Sequence, residues 1–139
     1  MISYHGTSSA IAARLVPGRI DVSLGGGELG RGFYSGQFLH EAKTWAFHKF
    51  RGTRGNVLQL DTPDDSVEIL NLDILDTRTA SLRRSAIRRT SQTRTFLFNR
   101  DLIWAPIVGS ERVAGDQYKW EARPAQELLN GATTTRTIR

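Results

Sequence analysis

Three short segments carry the side chains best suited to chemistry: Ser3-Tyr4-His5-Gly6-Thr7, Gly32-Phe33-Tyr34-Ser35 with Trp45 eleven residues beyond Tyr34, and Asp116-Gln117-Tyr118. Tyr34 and Trp45 offer aromatic plates able to sandwich a flat organic cation, each contributing roughly 0.5–2 kcal/mol of stacking and cation–π attraction once desolvated. Gly6 has no Cβ, so a ligand can approach its backbone closely. Gln117 can hold a hydroxyl group but cannot act as a base. Asp116 and Glu121 are the neighbouring acids, and strand alternation puts Glu121 on the same face as Gln117, where it could supply the carboxylate that Gln117 lacks. Each residue also has a plainer reading. His5 then ends a strand, Tyr34 is a half-buried aromatic, Trp45 anchors the core of its helix and Gln117 is an exposed strand amide. The coincidence of all three segments is what points to a site.

The elements that must position these side chains follow from local pattern. Ile2 to His5 alternates as a short strand, and Ser8 or Ser9 caps a helix over 10–16 that Pro17-Gly18 ends. Residues 21–32 contain five glycines, including Gly25-Gly26-Gly27, and read as a mobile or sharply bent loop. Phe38, Ala42, Trp45, Ala46 and Phe50 follow helical spacing, which predicts an amphipathic helix over 38–50 with Trp45 on its inner face. Residues 56–62 and 66–70 read as strands joined by a turn at Asp64-Asp65. A helix is expected from about Leu72 through the following arginines, on a thin apolar stripe of Leu75, Leu82 and Ile87. A buried strand over 102–109, a short strand over 117–121, a helix over 124–129 and a fraying polar tail from Thr133 complete the chain. This order of elements predicts an α+β fold.

A chain of 139 residues is expected to form a single domain over 1–139. Apolar and charged contents of 39% and 24% are ordinary for a globular protein, and no apolar run approaches a membrane span, so no membrane partner is expected. With no cysteine and three scattered histidines, neither disulfides nor a metal site is expected. The first residues lack the features of a secretory signal, which gives a cytoplasmic expectation. Nineteen basic residues face fourteen acidic ones, and six of the basic ones (Arg78, Arg83, Arg84, Arg88, Arg89 and Arg94) fall between Thr77 and Phe98 without an intervening acid. Such a block is either a solvated helix face or a footprint for an anionic partner such as RNA or DNA. Gly25-Gly26-Gly27 lacks the Lys-Ser/Thr of a phosphate-binding loop, and no strand–Gly-x-Gly-x-x-Gly–helix unit is present, which disfavours hydride transfer. The glycine-rich stretch is either a connector or a lid over phosphate and ribose, with Arg14, Arg19 and Arg31 available to a pyrophosphate.

The Ser-Tyr-His-Gly-Thr and Gly-Phe-Tyr-Ser segments, with the late Gln117-Tyr118, resemble the three motifs of the His-Tyr-Glu class of ADP-ribosyltransferases, the class of diphtheria toxin's catalytic domain. Gly30-Arg31-Gly32-Phe33-Tyr34 also resembles a Gly-x-Gly-Phe-Tyr segment of small bacterial members of that superfamily. The resemblance implies a split β-sheet core with flanking helices and a central cleft for NAD as substrate, with no metal. It implies that His5 bonds a ribose hydroxyl with Thr7 nearby, that the Gly6 main chain meets the carboxamide, and that Tyr34 and Trp45 flank the nicotinamide. Arg31, Gly32 and Phe33 complete the expected contacts, and Gln117 stands where the family has glutamate. The implied reaction is transfer of ADP-ribose from NAD to a protein or nucleic acid, with nicotinamide released, in a toxin-like protein with a possible antitoxin partner. NAD hydrolysis, or an inactive module that binds ADP-ribose or nucleic acid, are the alternatives.

Overall fold

The computed structural model describes residues Met1–Arg139. Its centre is a mixed, mostly antiparallel sheet of seven strands, in the order β6-β7-β8-β4-β1-β5-β9. The strands are β1 (Ile2–Gly6), β4 (Phe33–Gly36), β5 (Val57–Asp61), β6 (Leu72–Ile74), β7 (Leu102–Pro106), β8 (Asp116–Trp120) and β9 (Thr135–Ile138), and a small hairpin is made of β2 (Gly26–Gly27) and β3 (Gly30–Arg31). Only β6 and β7 run parallel. Five helices flank the sheet: α1 (Ser9–Leu15), α2 (Leu39–Phe50), α3 (Asp64–Glu68), α4 (Thr77–Arg89) and α5 (Arg123–Asn130). The chain is therefore α+β.

Alternation along the strands sends side chains to two cores. Leu102, Tyr118, Trp120, Phe33, Leu58 and Leu60 join Val67 of α3 and Ala125 and Leu129 of α5 on one side. Ile103 and Ala105 join Leu29, Leu75 and Ala80 on the other. Period-two alternation accounts for this division, since Leu102 and Ile103 are both fully buried yet belong to different clusters. The join between β1 and β4 is narrow. A single register pair, Tyr4 with Gly36, links them, whereas β1 pairs with β5 at five positions and β4 with β8 at four.

Four local expectations change in the structure. Residues 64–68 are helical rather than extended, because Pro63 leads into Asp64 and Asp65, whose charges favour the positive end of a helix. The helix turns Val67 inward, 5% exposed, and Ile69 outward, 85% exposed, where a strand would have put both on one face. Leu72 to Ile74 is a strand, and the helix begins only at Thr77, where the Asp76 carboxylate accepts from Thr79 N at 2.7 Å. The polar tail does not fray. Its Thr-Arg-Thr-Ile run pairs along β5, and the Arg136 guanidinium donates to the carbonyls of Val16, Leu129, Gly131 and Thr134. The glycine-rich stretch is no slack connector either, since it forms the β2–β3 hairpin and buries Leu29 completely.

Candidate active site

His5 lies at the narrow β1–β4 join. Its Nδ1 stands 2.6 Å from the Tyr34 carbonyl oxygen, and its ring stacks on Phe33 with centroids 4.2 Å apart. A carbonyl only accepts, so Nδ1 carries the proton and Nε2 is left with a free lone pair. Burial pushes the imidazole down to about 4 from 6.5, outweighing the Tyr34 carbonyl, which favours the protonated ring. The ring is nevertheless only partly shielded from solvent. At neutral pH His5 is therefore an uncharged acceptor at a seam between strands.

Tyr34 points away from Phe33, to the other side of the sheet. Its hydroxyl donates to Gly30 O at 2.7 Å and accepts from Leu29 N at 3.1 Å, so the hairpin is tied across the ring. Gly27 lies flat against that ring, and a Cβ there would sit 2.7 Å from Cζ. The glycine is required because the backbone itself forms the lid. Burial holds the phenol well above its ordinary range, so it remains a neutral donor.

Gln117 faces the same side as Tyr34, since Tyr34 pairs with Lys119 and Gly36 with Gln117. It is 7% exposed rather than an open strand amide, and its amide nitrogen donates to the Glu28 carboxylate and to Pro106 O. Glu28 Oε1 also accepts from Val108 N at 3.1 Å, while its other oxygen faces Arg84 Nε at 3.4 Å, an ion-pair distance without hydrogen-bond alignment. Glu28 is thus the acid that the fold brings to Gln117. Sequence reasoning missed it because the two residues are 89 positions apart, and the only local sign was one acid at the tip of a glycine-rich turn.

Glu121 shares the strand face of Gln117 but is committed elsewhere. Its carboxylate forms a buried ion pair with Lys119 at 2.6 Å and accepts from Phe98 N and Arg100 N. Burial pulls the Lys119 ammonium down, and the Glu121 partner counteracts that by favouring the charged form. Held by three donors in this way, Glu121 organises the 98–100 turn and is not part of the Gln117 group. Asp116 is likewise engaged, accepting from Trp104 Nε1 at 2.8 Å.

Several residues expected at the ligand have packing roles instead. The side of Gly6 where a Cβ would stand is filled by α2, with the Ala42 carbonyl oxygen 2.3 Å from that position. The close approach at Gly6 is therefore made by a helix. Gly32 lies against the Lys119 stem, and Phe33 is a core residue. Thr7 is buried, with its amide donating to Asn56 O. Trp45 departs from the expected inner position: Ala42 and Ala46 are the buried residues of α2, while Trp45 is 59% exposed, beside Gly6 and under the Lys49 ammonium at 5.4 Å. Helical spacing allowed either choice, and the close approach of α2 to β1 selects the small residues for the contact. Arg31 lines a separate cleft with Glu121 and Arg123.

The fold thus brings Tyr34, Gln117 and Glu28 together on one side of the sheet, places the His5 ring on the opposite side against Phe33, and leaves Trp45 on the surface near Gly6. No group of histidine, cysteine or carboxylate side chains is arranged to hold a metal ion. No protein-family model and no curated protein matches this chain.

Proposed function

We propose that this chain is an NAD-dependent mono-ADP-ribosyltransferase that releases nicotinamide and passes ADP-ribose to a macromolecular acceptor. The observation that carries the reading is the Glu28 carboxylate held on Gln117 beside Tyr34. Breaking the nicotinamide–ribose bond leaves an oxocarbenium-like sugar, whose 2-hydroxyl contact strengthens at the transition state. The Glu28 and Gln117 pair supplies a carboxylate for that contact where Gln117 alone could not. His5, neutral and with Nε2 unprotonated, lies on the Phe33 side of the sheet and suits acceptance of a bond from a ribose hydroxyl only where the ligand spans the β1–β4 join. The narrow β1–β4 join supports a split sheet of the kind the motif resemblance implies. Because Gly27 covers the Tyr34 ring, nicotinamide stacking there requires the β2–β3 hairpin to lift. A toxin-like role and an antitoxin partner rest on the resemblance alone.

The acceptor reading favours a nucleic acid. Arg78, Arg83, Arg88 and Arg89 are exposed on α4 and form no ion pair, although Arg84 is turned to Glu28 and Arg94 to the Leu24 carbonyl. Nicotinamide release from NAD by the purified protein, with and without cell lysate, tests the whole reading. His5→Ala, Tyr34→Ala and Glu28→Gln are each expected to lower release by about a hundredfold or more, the usual cost of losing one transition-state interaction. Release without any labelled macromolecule would assign the reaction to NAD hydrolysis. NAD binding with no release under any condition would instead leave a binding module.

A further inference from the structure

Helix α2 crosses the last residue of β1 at Ala42, and every residue of the helix after Ala46 is exposed, so its final turn overhangs the sheet. Its second half holds three large apolar side chains in solvent, Trp45, Phe47 and Phe50, and all three are aromatic. The Lys49 ammonium sits between two of them, 5.4 Å from the centre of the Trp45 ring and 5.7 Å from that of Phe50. Arg51 and Arg54 follow, both exposed, and none of these three cations has a carboxylate within ion-pair distance. Residues 38–55 hold one acid, Glu41, and it accepts from Ala114 N at the other end of the helix. Cations in a last turn suit the negative end of a helix, but that accounts for none of the exposed rings.

Exposed rings interleaved with unpaired cations meet the needs of a nucleic-acid strand: each base offers a π-face for stacking, and the cations meet the phosphates between bases. In a duplex those faces are covered by the neighbouring pairs, so the rings suit an unpaired strand. A bilayer fits the patch less well. Trp45 and Phe47 are two positions apart and point to roughly opposite sides of the helix, with Phe47 lining a hollow beside Gly52 and Asn56, whereas insertion needs the apolar residues on one face. The patch also lies on the same side of the sheet as α4. Gly6, which meets α2, shares its side with Tyr4, Gly36, Gln117 and Ala105, and Ala105 packs with Ala80 of α4. The unpaired arginines of α4 and the cations of α2 therefore belong to one layer, while the acidic helix α3 packs on the other core. Lys49 also acts on His5, disfavouring its charged form, so the patch adjoins the β1–β4 join.

We infer that the overhanging end of α2 is a stacking platform for a single-stranded nucleic acid, with bases on Trp45 and Phe50 and the backbone along Lys49, Arg51 and Arg54. This narrows the acceptor from a nucleic acid in general to an unpaired strand, and adds a second contact surface to that of α4. Calling the strand an acceptor rests on the proposed reaction. Its binding does not, and stands whether or not NAD is turned over.

Fluorescence anisotropy of a short fluorescein-labelled oligothymidylate, titrated with the full chain, tests it. The single strand is expected to bind, and the same strand annealed to its complement to bind about tenfold more weakly or worse. Trp45→Ala and Phe50→Ala are each expected to weaken binding about fivefold or more, the usual cost of losing one stacked base, and Trp45→Phe to recover most of that loss. Ile69→Ala, exposed beside α3, is expected to change nothing. Phe50→Ala keeps the test valid even if Trp45→Ala disturbs the contact with Gly6. No binding by the wild type, equal binding of the duplex, or undiminished binding by both alanine variants overturns the inference. Co-sedimentation with phosphatidylserine vesicles that the oligonucleotide fails to displace overturns it in favour of a membrane surface. A chain that binds the strand through both rings yet releases no nicotinamide upholds the platform and removes only the enzyme.

Discussion

His5 owes its chemical state to one carbonyl. Tyr34 O fixes the proton on Nδ1, and burial keeps the ring neutral down to about pH 4. The sign of the resulting pH dependence follows. The unfolded chain protonates His5 as pH falls through 6.5, whereas the folded chain does so only near 4, so the stability that neutral burial contributes is complete above 6.5 and declines across that interval. The loss is at most about 3 kcal/mol, and less in proportion to the ring's remaining exposure. Urea unfolding at pH 7 and pH 4.5 is expected to show a steeper loss for the wild type than for His5→Asn; parallel losses would remove His5 from the acid sensitivity. Glu28 teaches a related lesson. A glutamate in a glycine-rich turn has no local mark of chemistry, and acquires one only when Gln117, Val108 and Arg84 converge on it.

Strands β1 and β5 are where alternation predicts them, and β7 and β8 form within the stretches expected as a buried and a short strand, although β7 stops at Pro106 rather than Gly109. The segment at Val67 and Ile69 shows the limit of the same signal. Two apolar residues two apart suit a strand, but the charge and proline context at 63–65 makes a helix. Helix α2 depends on a contact that periodicity does not encode, its backbone crossing directly over Gly6. Gly6→Ala is expected to cost about 1–3 kcal/mol by forcing α2 outward, as overpacking does. Gly52→Ala, where no atom lies near the new methyl, is expected to change the urea midpoint little. If both variants unfold alike, the close approach of α2 does not constrain the join. The same Gly6 variant also moves Trp45, so it reports on whether that exposed ring takes part in binding.

Across the whole molecule, charge is divided between internal and external work. Lys119 and Glu121 neutralise each other in the interior, and Arg84 and Arg136 are spent on a carboxylate and on backbone carbonyls. Arg78, Arg83, Arg88 and Arg89 are left on the solvent face of α4 and contribute most visibly to the net charge of +5. Replacing Arg78, Arg88 and Arg89 together by serine is expected to weaken binding to single-stranded RNA and to flatten its salt dependence by roughly two units of log–log slope, at about 0.7 for each phosphate no longer neutralised. Unchanged slope in a filter-binding titration would make α4 an ordinary solvated face. No helix is long and apolar enough to cross a membrane.

The α+β class and the main strands were legible in the chain, because alternation, capping residues and turn glycines act through neighbours a few residues away. The alternation of Gln117, Lys119 and Glu121 is of this kind. Tertiary structure alone decided which acid stands at Gln117, which residue of α2 is buried, and that the glycine-rich stretch closes over Tyr34. Each of these depends on backbones brought within van der Waals contact from distant parts of the chain. Such contacts are selected by shape and by the need to pair every buried polar group, and neither leaves a periodic trace in the sequence.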